Sequence, residues 1–198
     1  LPFAIEDTGG YFVTTPWDDP AFADRFAEGC RECGIPVEEI SIEQMLREEP
    51  RLNPGILRCF RVPDAAADSF LATHANVLSA QQYGALIWTY HRVVGFVKQD
   101  DRVVATIVEN LLTGEQIRID CDFVVNASGA WAGQVAELAG CEVTVIPGKG
   151  TMVAMNHRVI NTVVNRCKMP SDGDIIVPIR TVAVIGTTDI RVPDPEHY

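Results

Sequence analysis

With 198 residues, 47% of them hydrophobic and 22% charged, the chain has an ordinary globular make-up and the length to bury roughly 70% of the surface it exposes when unfolded. A net charge of −11 argues against a nucleic-acid partner, whose phosphates require a basic surface. No run approaches the ~18 consecutive apolar residues of a membrane span, and Leu1-Pro2-Phe3-Ala4-Ile5-Glu6-Asp7 lacks the basic start and apolar centre of a signal peptide.

Gly10 to Thr15 has the composition of a short strand. Asp19 then caps a helix that has Pro20 at its first position, runs to about Cys33 and stops at Gly34. Ser41 and Gln44 form a capping box, with Ile40 and Met45 placed as its hydrophobic staple, and this second helix ends before Pro50. Ile56–Val62 is expected as a strand and Pro63–Ala67 as a loop. Asp68 caps a third helix that places Phe70, Thr73 and Val77 on one face and closes at Gly84. Three strands follow, Ala85–Val97, Val103–Asn110 and Gln116–Cys121, separated by the turn residues Gln99-Asp100-Asp101 and Leu112-Thr113-Gly114-Glu115. Phe123–Asn126 reads as a buried strand, and Ala130–Ala139 as a helix ending at Gly140. Val143–Ile146, Thr151–Met155 and Val182–Ile185 are strand-like, with Asp172-Gly173-Asp174 as a turn. The pattern is a mixed α/β fold.

Charge is unevenly distributed. Twelve acids precede Arg51 against three arginines, the signature of a solvated acidic face. From Val145 to Arg191 the balance reverses, with Lys149, Arg158, Arg166, Lys168, Arg180 and Arg191 against Asp172, Asp174 and Asp189, a stretch that reads equally as a draw for a small anionic ligand and as an ordinary mixed surface. The six cysteines do not form a secreted disulfide framework. Cys30 and Cys33 have the spacing of half a zinc site or of a redox pair, but no second Cys-x-x-Cys completes a tetrahedron. They share a helix face with Phe22 and Phe26, which favours buried reduced thiols. His74, His91, His157 and His197 show no ligand spacing, so no metal site is expected. Asn126-Ala127-Ser128 matches a glycosylation sequon, yet it sits at an apolar strand end rather than on a surface loop.

The segment Phe123-Val124-Val125-Asn126-Ala127-Ser128-Gly129-Ala130-Trp131 carries the most chemistry. An apolar stretch stops at small residues and reopens as a helix, which is where an open α/β sheet admits a flavin or dinucleotide close to its backbone. The free N–H groups of the helix start then face its charged parts. The complementary Gly-x-Gly-x-x-Gly turn is nowhere in the sequence. Gly148-Lys149-Gly150 is a near miss that continues Thr151-Met152-Val153 without a third glycine.

Several segments together resemble the FAD-dependent glycerol-3-phosphate dehydrogenases, with the nearest likeness to the large catalytic subunit of the multi-subunit anaerobic bacterial form. They are Glu49-Pro50-Arg51-Leu52-Asn53-Pro54, Val62-Pro63-Asp64 with Asp68 and Phe70, Val124–Trp131, Lys149-Gly150, Asn165-Arg166-Cys167 with Pro170-Ser171-Asp172 and Asp174, and Ile185-Gly186-Thr187-Thr188-Asp189. The Asn-Ala-Ser-Gly segment alone marks only the broader D-amino-acid-oxidase-like flavoproteins. Ala65 departs from the glycine frequent in that family after Pro-Asp, and Cys33 is not a family feature.

The resemblance implies an FAD-binding α/β domain interleaved with a mixed-sheet substrate domain, seen here as an internal fragment; the opening at Leu1 rather than methionine agrees with a processed or cut chain. Residues 1–90 would begin the substrate domain, 91–140 would be returning FAD-domain strands and helix, and 141–198 would continue the substrate domain. The family's glycine-rich turn would precede Leu1, and its later substrate-binding arginine and Gly-Gly-Lys segment would follow Tyr198. The implied activity is hydride transfer from sn-glycerol 3-phosphate to FAD, giving dihydroxyacetone phosphate, with electrons passed to a respiratory quinone. The implied FAD contacts are Val93, Ala127, Ser128, Gly129 and Trp131, and the implied substrate contacts are Lys149, Thr187, Thr188 and Asp189; no catalytic base is assigned. FAD is expected in the full-length enzyme and not in the fragment, which would be inactive by itself. Implied partners are electron-transfer or membrane-anchoring subunits and a second copy in a homodimer, and the implied location is cytoplasmic, peripheral on the inner face of the cell membrane. The competing readings are an FAD-dependent oxidase or dehydrogenase of amino or hydroxy acids, and a non-catalytic structural module.

Overall fold

The computed structural model describes residues 5–169 and 174–196. Two compact units make up the chain: Leu1–Ser79 with Gly150–Ile190, and Ala80–Lys149 with Arg191–Tyr198. In chain order the elements are β1 (Ile5–Glu6), β2 (Gly10–Thr14), α1 (Pro20–Glu32), β3 (Glu38–Ile40), α2 (Ile42–Glu48), β4 (Arg58–Val62), β5 (Ala66–Ala67) and α3 (Ser69–Gln82). Next come β6 (His91–Gln99), β7 (Arg102–Asn110), β8 (Gln116–Asp120), a 3-10 turn (Gly129–Trp131), α4 (Ala132–Leu138) and β9 (Gly148–Lys149). The last are β10 (Val153–Ala154), β11 (Val163–Arg166), β12 (Ile175–Ile179), β13 (Val182–Gly186) and β14 (Ile190–Arg191).

The first unit is organised by a seven-stranded mixed sheet in the order β10-β13-β12-β11-β2-β4-β3. Among the described residues its one parallel pair joins β2 to β11, with Gly10 opposite Val163 and Val13 opposite Arg166. Because side chains alternate along a strand, neighbouring residues of β2 and β4 feed two different cores. Tyr11, Val13 and Cys59 pack with Val164, Ala183 and Met45 of α2. Phe60 and Cys167 pack with Ala23 and Ala27 of α1 and with Phe12 and Phe26, the last two rings stacked at 4.4 Å.

Local chemistry sets the helix ends. Asp19 accepts the Ala21 N–H at 2.9 Å, and at the far end of α1 Ile35 N–H returns to Cys30 O (2.8 Å) and Gly34 N–H to Arg31 O (3.0 Å), with Gly34 at φ +70°. Ser41 accepts the Gln44 N–H at 3.1 Å, and Ile40 and Met45 share the first core as a staple should. The box is only half made, because the Gln44 side chain turns to Glu48 instead (3.1 Å). Asp68 accepts the Leu71 N–H at 3.0 Å to open α3, whose buried residue is Ala75 while Phe70 is 87% exposed.

In the second unit, β6, β7 and β8 form an antiparallel meander, and α4 packs on β6. The turn between β6 and β7 uses Asp100 (φ 48°) and Asp101 (φ 61°), both left-handed as a two-residue hairpin requires.

Several expectations are corrected. Phe123–Asn126 is not a strand and not buried: Phe123 is 84% and Val125 79% exposed. An extended segment becomes a strand only by pairing, and no ladder among the described residues lies beside it. Ala85–Tyr90, the first half of an expected strand, is exposed and lies in no ladder among the described residues, and Val143–Ile146 forms none there either. Thr151–Met155 keeps only Val153–Ala154 as strand. The expected helix over Ala130–Ala139 is a 3-10 turn followed by α4, closed at Gly140 (φ +68°). Of the expected Asp172-Gly173-Asp174 turn, the first two residues lie outside the described residues.

Candidate functional site

The small-residue turn of the second unit is built around one side chain. Asn126 Oδ1 accepts from Ser128 Oγ at 2.6 Å and from Ser128 N–H at 3.3 Å, while Asn126 Nδ2 donates to the Ala132 carbonyl at 2.9 Å. Asn126 thus ties the turn to the first residue of α4. Gly129 sits at φ +58° with no atom within 4 Å of where a Cβ would be, so the backbone here faces open space. Ala127 and Gly129 are exposed, and Ser128 is half-buried.

A cleft of about 640 Å³ opens beside this turn, and Val93, Ser128 and Trp131 all line it, together with His91, Leu111 and Val135. Three of the five residues expected at the cofactor therefore meet in one place, with Ala127 and Gly129 on either side of Ser128. Trp131 is more than a packing residue: its Nε1–H donates to Glu196 Oε1 at 2.7 Å. Val93 belongs to β6, an edge strand of the three-stranded sheet, and pairs with Val108 beside a register shift. An edge strand leaves every second pair of backbone groups unpaired by its own sheet.

These features fit one wall of a flavin site, namely a helix start with exposed small residues and a neighbouring cleft with an open backbone edge. They do not supply a pyrophosphate turn. Gly148-Lys149-Gly150 is no substitute, since Gly148 and Lys149 form a short exposed strand and a Cβ on Gly150 would collide with Thr187 Oγ1. That glycine lets two segments of the backbone pack closely, its own and the one at Thr187.

The residues expected at the substrate are distributed over both units. Thr187, Thr188 and Asp189 follow β13 in the first unit, and Lys149 is exposed in the second. Thr188 has a partner of its own: its Oγ1 accepts the Thr151 N–H at 3.0 Å.

Of the two readings of the basic stretch, its ion pairs favour the mixed surface. Arg158 pairs with Glu6 (2.9 Å), Arg166 with Asp18 and with Asp174 (3.0 Å), Lys168 with Asp174, and Arg180 with Asp68 (2.9 Å). Four cations of that region are engaged by carboxylates of the same unit rather than offered to an anion. Burial alone would raise the pKa of Asp18, but hydrogen bonds from Arg166 and Thr15 outweigh it and hold the group below the ordinary carboxylate value.

The cysteine reading holds for one partner. Cys30 is buried and Cys33 exposed, though both line the same groove as Phe22 and Phe26. Among the described residues no three metal-ligating side chains cluster. Nor is any helix among them long and apolar enough to cross a membrane.

Over residues 1–198 the chain matches the DAO family, described as FAD dependent oxidoreductase. It is 44% identical over 203 residues to the A1 subunit of anaerobic glycerol-3-phosphate dehydrogenase from Haloferax volcanii, covering 98% of this chain and 35% of that protein. It is 41% identical over 188 residues to the A subunit of anaerobic glycerol-3-phosphate dehydrogenase from Escherichia coli, covering 95% and 35%. The chain thus spans about a third of the length of these curated relatives. Among solved structures it superposes on glycine oxidase from Bacillus cereus with a TM-score of 0.80 at 21% identity, covering 98% of this chain and 53% of that one. L-alpha-glycerophosphate oxidase from Mycoplasma pneumoniae gives a TM-score of 0.76 at 22% identity, covering 98% and 52%. At these identities the likeness is one of fold, a mixed α/β architecture. With a family match from the first residue to the last and the small-residue turn beside its cleft, the chain belongs to the FAD-dependent oxidoreductases.

Proposed function

We propose that this chain is part of the catalytic subunit of a dehydrogenase that oxidises sn-glycerol 3-phosphate to dihydroxyacetone phosphate and passes the electrons to a respiratory quinone. The observation that carries the reading is the 44% identity across 98% of the chain to the A1 subunit of an anaerobic glycerol-3-phosphate dehydrogenase. FAD, when bound, supplies the acceptor for the hydride leaving C2 of the substrate. Ala127, Ser128 and Gly129 hold that cofactor at the open backbone of the turn, with Val93 and Trp131 at the adjoining cleft. Asn126 keeps the turn in one shape, so the first turn of the helix presents its N–H groups in fixed directions. Lys149, Thr187 and Asp189 serve the substrate: an ammonium group, a hydroxyl and a carboxylate are the groups that can bind a phosphate and orient hydroxyls. In this reading 91–140 contributes to an FAD domain, and 1–90 with 141–198 to a substrate domain. Electron-transfer or anchoring subunits would complete the assembly and hold it at the inner face of the membrane.

The test is a flavin spectrum and steady-state reduction of a quinone analogue by the complete gene product that contains this chain. Turnover with glycerol 3-phosphate, and none with glycine, proline or lactate, is the expected result. Turnover of an amino or hydroxy acid without glycerol 3-phosphate activity would overturn the reading.

A further inference from the structure

Residues 150–152 and 186–188 approach each other more closely than side chains on both would permit. A Cβ on Gly150 would collide with Thr187 Oγ1 and stand 3.1 Å from the Thr188 carbonyl oxygen. A Cβ on Gly186, at φ +150°, would stand 2.9 Å from Met152 Cγ and 3.0 Å from the Thr151 carbonyl oxygen. Two glycines therefore let two stretches of backbone touch.

The ladder between β10 and β13 pairs Val153 with Ile185 and Ala154 with Val184, and goes no further as a regular pair. Beyond it the Thr188 N–H donates to the Thr151 carbonyl at 3.3 Å. The Thr188 carbonyl is taken by the Thr187 hydroxyl, which donates to it at 3.0 Å. The acceptor for the Thr151 N–H is instead the side chain of Thr188, whose Oγ1 lies 3.0 Å away. A side chain continues the hydrogen bonding after the backbone ladder has ended.

We infer that Thr188 is a positioning residue, one that acts by fixing the Gly150–Thr151 backbone against Thr187 rather than by touching the substrate. The inference rests on the glycerol 3-phosphate reading for its functional consequence. Gly150 is exposed and has no side chain to anchor it, so the Thr151 N–H is its nearest fixed point along the chain toward Val153. With the acceptor removed, only the longer bond from the Thr188 N–H to the Thr151 carbonyl (3.3 Å) still tethers the segment that follows Lys149, so it spreads more readily from Thr187 and the reactive arrangement is populated for less of the time.

The experiment compares Thr188→Val and Thr188→Ser in the flavin-loaded enzyme that contains this chain, with flavin content as the check on folding. Two quantities are read: hydrogen exchange at the Thr151 amide and kcat/KM for glycerol 3-phosphate. Valine keeps the β-branched shape and deletes the acceptor, so exchange at Thr151 should accelerate about three- to tenfold and kcat/KM should fall roughly tenfold. Serine keeps the acceptor and should stay within about twofold of the parent in both. A fall in kcat/KM for Thr188→Val with Thr151 exchange unchanged would overturn the inference, since the hydroxyl would then be acting on the substrate. Faster exchange with kcat/KM unchanged would also overturn it, leaving a purely structural bond. A flavin-loaded parent that does not oxidise glycerol 3-phosphate removes the substrate reading itself, a failure visible before any variant is made.

Discussion

The carboxylate of Glu49 accepts the backbone N–H of Thr162 at 2.7 Å, joining the end of α2 to the loop that leads into β11 across 113 residues of sequence. The same Oε1 accepts the Asn161 N–H at 2.8 Å, and Glu49 is only 2% exposed. Deleting the side chain leaves two partly buried N–H donors without their acceptor, at about 1–3 kcal/mol for each. Glu49→Ala should therefore lower the unfolding free energy by roughly 2–5 kcal/mol. Glu49→Gln, whose carbonyl can take both bonds, should lose less than half as much. Equal losses in denaturant titrations would show that charge, not the acceptor position, matters.

Glu48 gives the fold an acid-sensitive contact. Hydrogen bonds from Tyr11, then from Arg61 and Gln44, hold its pKa at about 2 against an ordinary 4.5. Burial, then the Glu48 bond, push the Tyr11 hydroxyl up to about 12. A carboxylate with a depressed folded pKa stabilises fully above its unfolded value and loses that contribution as pH falls toward the folded one. The stability gap between the parent and Glu48→Gln should thus be constant above about pH 5 and shrink steadily toward about pH 2. A gap independent of pH in that window would mean that the carboxylate is not ionised in this contact.

Thiol chemistry should follow burial rather than sequence spacing. Burial lifts Cys59 to about 12 and Cys167 to about 11, and it also raises Cys30. Cys33 and Cys141 are exposed. Iodoacetamide on the native protein should label Cys33 and Cys141 first and reach Cys30, Cys59 and Cys167 only on unfolding. Joint protection of Cys30 and Cys33, or zinc near one per chain that Cys33→Ser abolishes, would contradict this assignment.

Gly129 separates two effects in one position. Nothing stands within 4 Å of a Cβ built there, but φ is +58°. Gly129→Ala reports the cost of the left-handed backbone, about 1–2 kcal/mol. Gly129→Val adds bulk on the side open to a ligand. In the complete enzyme the flavin-to-protein ratio should fall modestly for alanine and be abolished for valine, with the first unit still folded. Normal flavin content in Gly129→Val would place the cofactor contact elsewhere.

Helix ends were the most legible part of the fold because their signals are local: Asp19-Pro20 with Gly34, Ser41 before α2, and Asp68 with Gly84 all act where the sequence puts them. β1 and β5 carry no such signal, being two residues each and existing only through Ile5–Ala67 and Glu6–Ala66 pairing. β12 is hidden in the sequence by Pro178, which the sheet tolerates because the β11 ladder stops at Ile175 and Ile176 and Pro178 is paired on one side, with Ala183 of β13. The small-residue turn at Asn126–Gly129 was visible for the reason that helix ends were, since a short polar side chain and a left-handed glycine act on their neighbours. The two readings of the basic stretch stay undecided in the sequence because a charge count is blind to partners 152 positions away, such as Glu6 for Arg158.

The parallel pairing of β2 with β11 has a consequence for biosynthesis. β2 meets its antiparallel neighbour β4 early, but Gly10 must wait for Val163, and the Ala80–Lys149 part of the second unit emerges from the ribosome in between. At roughly 5–20 residues per second the delay is on the order of ten seconds, during which one edge of β2 has no strand beside it. An open edge is a template for pairing with another nascent chain. The interval between these two strands is therefore where the growing polypeptide is most exposed to misassembly, and where a chaperone would have the most to protect.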